Sequence, residues 1–250
     1  MLTLKDMCKK IDKNKILIDK IRPFEGNSLK QLREYYRIGL TWTSNALEGN
    51  TFTETETKIL LEDGITVGGK PLHDVYEAIG HSRAYDYIFK LIQQRNFTLD
   101  DIKKIHFLFY KEIDEEEAGQ WRKINIIVTG TDYVFPDFKN VENEMYELIE
   151  WANNERGTLH PVDFAALLHL KFVTVHPFVD GNGRIGRLLM NLALIQDGHM
   201  LALVPPILRH EYISSIRKHQ LQKSSQDFCN LIAERVYESQ KEIKRLFHLS

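Results

Sequence analysis

The chain has 250 residues, 43% of them hydrophobic, enough to build a sizeable core in one or two domains. Its 33 Lys and Arg nearly balance 35 Asp and Glu, giving a net charge of −2 and no basic footprint for nucleic acid. No apolar run reaches the length of a membrane span, the N-terminus has no signal-like apolar core, and Cys8 and Cys229 have no pairing pattern; the expected setting is reduced and cytoplasmic, with no membrane partner.

Helical periodicity runs through almost the whole chain, without an internal repeat. Residues 1–27 are Lys-rich, end at Pro23 and Gly26, and read as a peripheral arm. Residues 28–250 read as a single all-α domain, since no connection is long enough to divide it. Its first helix runs from about Ser28 to Glu48 and is closed by Gly49-Asn50. Ser44 and Glu48 lie four apart near its end and share a face. A carboxylate there is unfavourable unless a cation meets it. Thr53 with Glu56 forms a capping box for a short helix to about Glu62, and 64–71 is a loop. Further helices are predicted near 73–93, 99–113, 138–155, 162–175, 184–197, 209–221 and 225–247. One segment breaks the pattern. Ile124-Asn125-Ile126-Ile127-Val128 is rich in β-branched residues, Thr129-Gly130-Thr131-Asp132 can turn, and Tyr133-Val134-Phe135-Pro136 is extended, which predicts a small β-hairpin.

The chemistry concentrates in residues 176–187, His-Pro-Phe-Val-Asp-Gly-Asn-Gly-Arg-Ile-Gly-Arg. Pro177 stops the preceding apolar helix, and Arg184 begins the next. Asp180-Gly181-Asn182-Gly183 therefore sits at a helix N-terminus, where unpaired N–H groups favour anions and glycines admit a phosphate close to the backbone. Arg184 and Arg187 lie three apart in the first turn, against the helix dipole, a cost that a bound polyanion relieves. His176 supplies a base and Asp180 a hard-metal ligand. The spacing does not fit an EF-hand, a Walker loop lacks its Gly-Lys-Ser/Thr, and His169 with His176 lack zinc-ligand spacing.

The dodecapeptide resembles the Fic signature, His-Pro-Phe-x-Asp-Gly-Asn-Gly-Arg-x-x-Arg, at every fixed position, and the likeness extends through Leu188 to Leu192 and back through His160 to Ala166. The resemblance implies a Fic fold: a helical domain with a β-hairpin flap over the catalytic loop. It implies transfer of AMP from ATP to a Ser, Thr or Tyr hydroxyl of a target protein and of the chain itself. His176 is then the base, and Asp180 holds Mg²⁺ or Mn²⁺. Gly181, Asn182, Gly183, Arg184, Ile185, Gly186 and Arg187 form the nucleotide loop. The flap turn Val128, Thr129, Gly130 and Thr131 approaches the nucleotide, while the flap 124–136 docks the target by strand addition. Ser44 to Gly49 resembles the family's inhibitory motif, so Glu48 is expected on Arg187, with Ser44 in support, and the helix at 28–49 is inhibitory. Tyr212 and Gln220 stand where relatives carry an aromatic and an Asn near adenosine; Ile213 departs from that pattern.

Doc kinases carry Lys at the position of Gly183, and phosphocholine transferases lack the arginine supplied by Arg187, so AMP transfer is preferred within the family. Two alternatives remain: AMP removal, with Glu48 positioning a water, and an idle binding or regulatory module that uses the flap as a docking edge. The expected partners are ATP and an unidentified target protein, with a homodimer left open.

Overall fold

A computed structural model describes residues 3–66 and 68–249. Ten α-helices are present among them: α1 Leu4–Asp19, α2 Gly26–Ala46, α3 Glu54–Asp63, α4 Leu72–Lys90, α5 Leu99–Tyr110, α6 Val141–Glu155, α7 Pro161–Val175, α8 Asn182–Gln196, α9 Arg209–Gln222 and α10 Gln226–Leu246. The predicted helices lie within about a turn of these bounds. Local chemistry explains several ends. The Thr53–Glu56 capping box opens α3, left-handed Gly64 closes it, and Pro161 occupies the first turn of α7.

The central pair is α7 against α8. Both are apolar almost all round, and Phe164, Leu168, Phe172, Ile185, Leu188 and Met190 are essentially solvent-free. A helix without a polar face must be enclosed by others. Here α4 and α2 cover α8, while α6, α9 and α10 cover α7. Residues 176–181 connect these two enclosed helices, so the ends of that loop are held by the densest part of the core.

Two expectations are corrected. Residues 3–27 are not a peripheral arm: α1 packs along α10 and buries Ile11 and Ile18, completing the core that the amphipathic face of α10 opens. The Lys-rich face that suggested an arm is only its solvent side. The β-hairpin expected over 124–136 is also absent, since no strand exists among the described residues. The segment is held by side chains instead. Arg122 donates to the carbonyls of Ile124 and Pro136 at 2.9 and 2.5 Å, and Asn125 accepts from the Phe138 amide at 2.9 Å. Pro136 has no N–H to give a ladder, and Ile127 is 99% exposed, with no third strand or helix beneath it. Two lone extended runs seldom pair stably in water.

Candidate active site

His176 ends α7 in the left-handed region, φ 54°, with its amide on the carbonyl of Phe172 at 3.0 Å. Pro177 forbids helical geometry here, and the left-handed turn swings the imidazole off the helix. Its ring stands edge-on to Phe135 of the flap, centroids 4.7 Å apart. Burial pushes its pKa down to about 4, so at neutral pH the imidazole is an uncharged proton acceptor.

The loop that follows is fastened from both sides. Asn182 accepts from the Phe178 amide at 3.0 Å and donates to the Phe178 carbonyl at 2.9 Å. The His106 ring stacks on Phe178, planes 3° apart and centroids 3.7 Å. Because the Gly119 amide donates to His106 Nδ1 at 2.8 Å, the proton sits on Nε2, which donates to the Asp180 carbonyl at 3.2 Å. Gly181, with φ 79°, caps α8 and lies against the Phe109 ring, where a Cβ would collide. The first amides of α8 therefore point outward without a side-chain cap, as an anion site requires.

A pocket of about 350 Å³ opens above this N-terminus. His176, Gly183 and Glu48 form one side; Val128, Thr129 and Thr131 of the flap turn face them; Ile213 and Gln220 of α9 close the far end. Gly130, at the tip of the turn, lies against the Arg217 guanidinium. Ile185 and Gly186, expected in the nucleotide loop, face the core: Ile185 is fully buried and Gly186 packs on Val173 and His169. The Asn182 side chain is 2% exposed and tied to Phe178 through its oxygen and one amide N–H.

The two arginines are both buried and both paired. Arg184 donates to Glu77 of α4 and lies 3.3 Å from Asp180, whose carboxylate stays 51% exposed. Arg187 is 1% exposed and fully engaged: Nη2 meets Glu48 Oε1 and the Ser44 carbonyl, each at 2.7 Å, Nε meets Ser44 Oγ at 2.9 Å, and Nη1 meets the Tyr212 hydroxyl at 2.9 Å. Burial works to raise the Glu48 carboxyl, but Arg187 and then Arg184 hold it below the usual range. Glu48 Oε1 stands over Gly183, where a Cβ would strike it. Tyr212 borders the pocket, but its hydroxyl is spent on Arg187 and on His169 Nε2 at 2.7 Å. Since arginine can only donate, Tyr212 must give its proton to His169.

These elements coincide with a known family. Residues 96–194 match the model of the Fic/DOC family. The Drosophila yakuba protein adenylyltransferase Fic is 37% identical over 171 residues, 68% of this chain and 34% of that protein. The chain carries a Fic/DOC-family domain over residues 96–194. Among solved structures, C. elegans Fic-1 superposes with a TM-score of 0.87 at 26% identity, covering 98% of this chain and 73% of that one. A Fic-domain signaling protein from Bacteroides thetaiotaomicron gives 0.85 at 25%, covering 99% and 97%. The chain spans about a third of the length of the curated relatives it matches.

Several residues that shape this Fic/DOC site were invisible in the sequence. Glu77 and Arg122 lie in no motif. Arg122 gathers the carbonyl of His176 at 2.9 Å with those of Ile124 and Pro136, joining catalytic loop to flap. His106 and His169 sit at ordinary helix-core positions. Their one shared signal is a polar group at a position that periodicity assigns to the core.

Proposed function

We propose that this Fic/DOC protein transfers AMP from ATP to a hydroxyl of a target protein and of itself. The observation that carries the reading is a neutral His176 beside the uncapped N-terminus of α8, in a pocket whose wall residue Glu48 is paired with the buried Arg187. A triphosphate fits the electrostatics: backbone N–H groups and two arginines supply the positive field. His176 accepts the proton of the attacking hydroxyl, an oxygen–phosphorus bond forms at the α-phosphate, and pyrophosphate leaves. Arg184 stabilises charge on the departing oxygens, and Arg187 grips the γ-phosphate. Asp180 suits Mg²⁺ or Mn²⁺: its carboxylate is half-exposed, and although Oδ1 accepts from the Gly181 amide at 2.6 Å, Oδ2 has only the longer 3.3 Å contact with Arg184. Such an ion, held by Asp180, would offset phosphate charge. Flap residues 124–136, with Ile127 and Val134 protruding, dock the target through open main-chain groups.

Glu48 acts as a brake. Its carboxylate occupies the Arg187 donors that the γ-phosphate needs, so the ion pair and productive ATP binding exclude each other. Ser44 supports the arginine in that parked position. A second reading, AMP removal, draws on Glu48 lining the same pocket as His176, where it can hold a water against a modified side chain. Incubation with α-labelled and, separately, γ-labelled ATP tests the primary reading. Label in protein from the α-phosphate alone is expected; label from the γ-phosphate contradicts it.

A further inference from the structure

Far from the catalytic loop, three donors of different chemistry meet where α1 crosses the start of α7. The Cys8 thiol, one ring nitrogen of His160 and a carboxylate oxygen of Asp163 all lie within 4.8 Å of one another. Cys8 is buried on α1, while His160 caps α7 and Asp163 lies in its first turn. Asp163 Oδ1 is buried and has no hydrogen-bond partner among the described residues. An unpaired buried carboxylate oxygen is costly. Burial raises the Asp163 carboxyl, and burial with the nearby Asp163 and Asp12 pushes the Cys8 thiol up to about 12. Both penalties would be relieved by one cation between the groups. A basin of about 840 Å³, lined by Cys8, Asp12, His160 and Asp163, gives such an ion a path from solvent.

His160 is oriented for the same purpose. Its Nε2 lies 3.2 Å from Asp12 Oδ1, and its Nδ1 has only a long 3.3 Å contact from the Val162 amide. With the proton on Nε2 and donated to Asp12, the lone pair is on Nδ1, where an ion would replace the long capping contact from the Val162 amide. A carboxylate behind an imidazole is the arrangement that fixes the tautomer of metal-bound histidines.

We propose that Cys8, His160 and Asp163 form a zinc-binding site that clamps α1 to α7, with Asp12 orienting His160. A thiolate, an imidazole and a carboxylate suit Zn²⁺, whereas Mg²⁺ and Ca²⁺ take oxygen sets. Three protein ligands leave the fourth tetrahedral position to a water from the basin. Binding breaks the Cys8 S–H bond, and the proton goes to solvent without transfer of electrons. The α7 dipole opposes a cation here, but its half charge is outweighed by two anionic ligands. The site shares no residue with the nucleotide pocket and stands or falls independently of AMP transfer.

The test is metal uptake by the chelator-stripped 250-residue chain, with Co²⁺ as a spectroscopic substitute for Zn²⁺. The expected results are a cobalt–thiolate charge-transfer band and a thermal midpoint that rises with added Zn²⁺. Cys8→Ser and Asp163→Asn, both nearly isosteric, should abolish the band. Asp12→Asn should keep it and weaken zinc by about 10–100-fold, as changes behind a ligand do. No thiolate band in the unmutated chain, or equal zinc affinity in Cys8→Ser and Asp163→Asn, overturns the site. Should either variant unfold, alkylation of the unmutated chain decides: Zn²⁺ must shield Cys8, and a Cys8 alkylated equally fast with the ion present overturns the site.

Discussion

A histidine makes a useful base near neutrality only if it is uncharged, and burial gives His176 that state by lowering its pKa to about 4. His176→Ala should therefore abolish AMP incorporation while nucleotide affinity, measured by calorimetry, changes little. The rate should show no His176 titration near 6.5 and should fall only as pH approaches about 4, because protonation removes the acceptor. Tyr212 lines the pocket and also holds Arg187 through its hydroxyl. Tyr212→Phe removes the hydroxyl's contacts with both Arg187 and His169; the Arg187 contact, worth about 1 kcal/mol, is the one that should raise KM for ATP, by roughly three- to tenfold with kcat nearly kept. A change in kcat alone would point elsewhere. At this scale the loop was legible because its residue types are chemically committed: a base, a carboxylate, two glycines and two arginines in twelve positions. Asn182 was ambiguous because a side-chain amide reads equally as a phosphate donor or a loop staple, and here it staples Phe178. Only the place of Phe178 in the core decides.

The flap shows what an element needs beyond propensity. Its β-branched residues favour extended backbone, but nothing lies beneath Ile127 or Val134 to reward pairing, so the run stays extended without a ladder. Arg122 supplies the missing order by bridging both flap ends to the His176 carbonyl. Arg122→Met keeps much of the volume and removes every donor. It should lower stability by about 2–3 kcal/mol in denaturant titrations, as expected when charged hydrogen bonds to backbone are lost. It should also speed proteolysis within 124–136 and impair target modification more than ATP binding. Unchanged cleavage of the flap would deny Arg122 this role. The sequence could not disclose it, since the three carbonyls converge only in the folded chain. Helix spans, by contrast, were readable from capping chemistry such as Thr53 with Glu56 and from the stop at Pro177.

The whole molecule hides several neutral imidazoles. Burial lowers His106, His176 and His199 to about 4 and His81 to about 3. Unfolded, each titrates near 6.5, so below that pH the unfolded chain binds more protons than the folded one. This stability is present above about 6.5 and is lost as pH falls toward 4. The urea midpoint should drop steadily between those values, each unit of depression being worth about 1.4 kcal/mol per histidine. A midpoint flat from pH 7 to 5 would show these rings to be hydrated. The fit of α1 onto α10 belongs to the same scale. Ile11→Ala should cost about 2–5 kcal/mol, which a peripheral arm could not do. That docking was hidden because α10 carries its apolar face far along the sequence from α1.

The proposed brake turns on one guanidinium serving two anions in turn. A charge-assisted contact such as Arg187–Glu48 is worth about 1.5–3 kcal/mol, and each 1.36 kcal/mol is about tenfold in rate. The most direct measurement is incorporation of α-labelled AMP into protein by Glu48→Gly beside the unmutated chain at equal ATP. An increase of about 10- to 100-fold is predicted, abolished when His176→Ala is added. Incorporation at the unmutated level, or label that survives His176→Ala, would contradict the shared use of Arg187 and the role of His176.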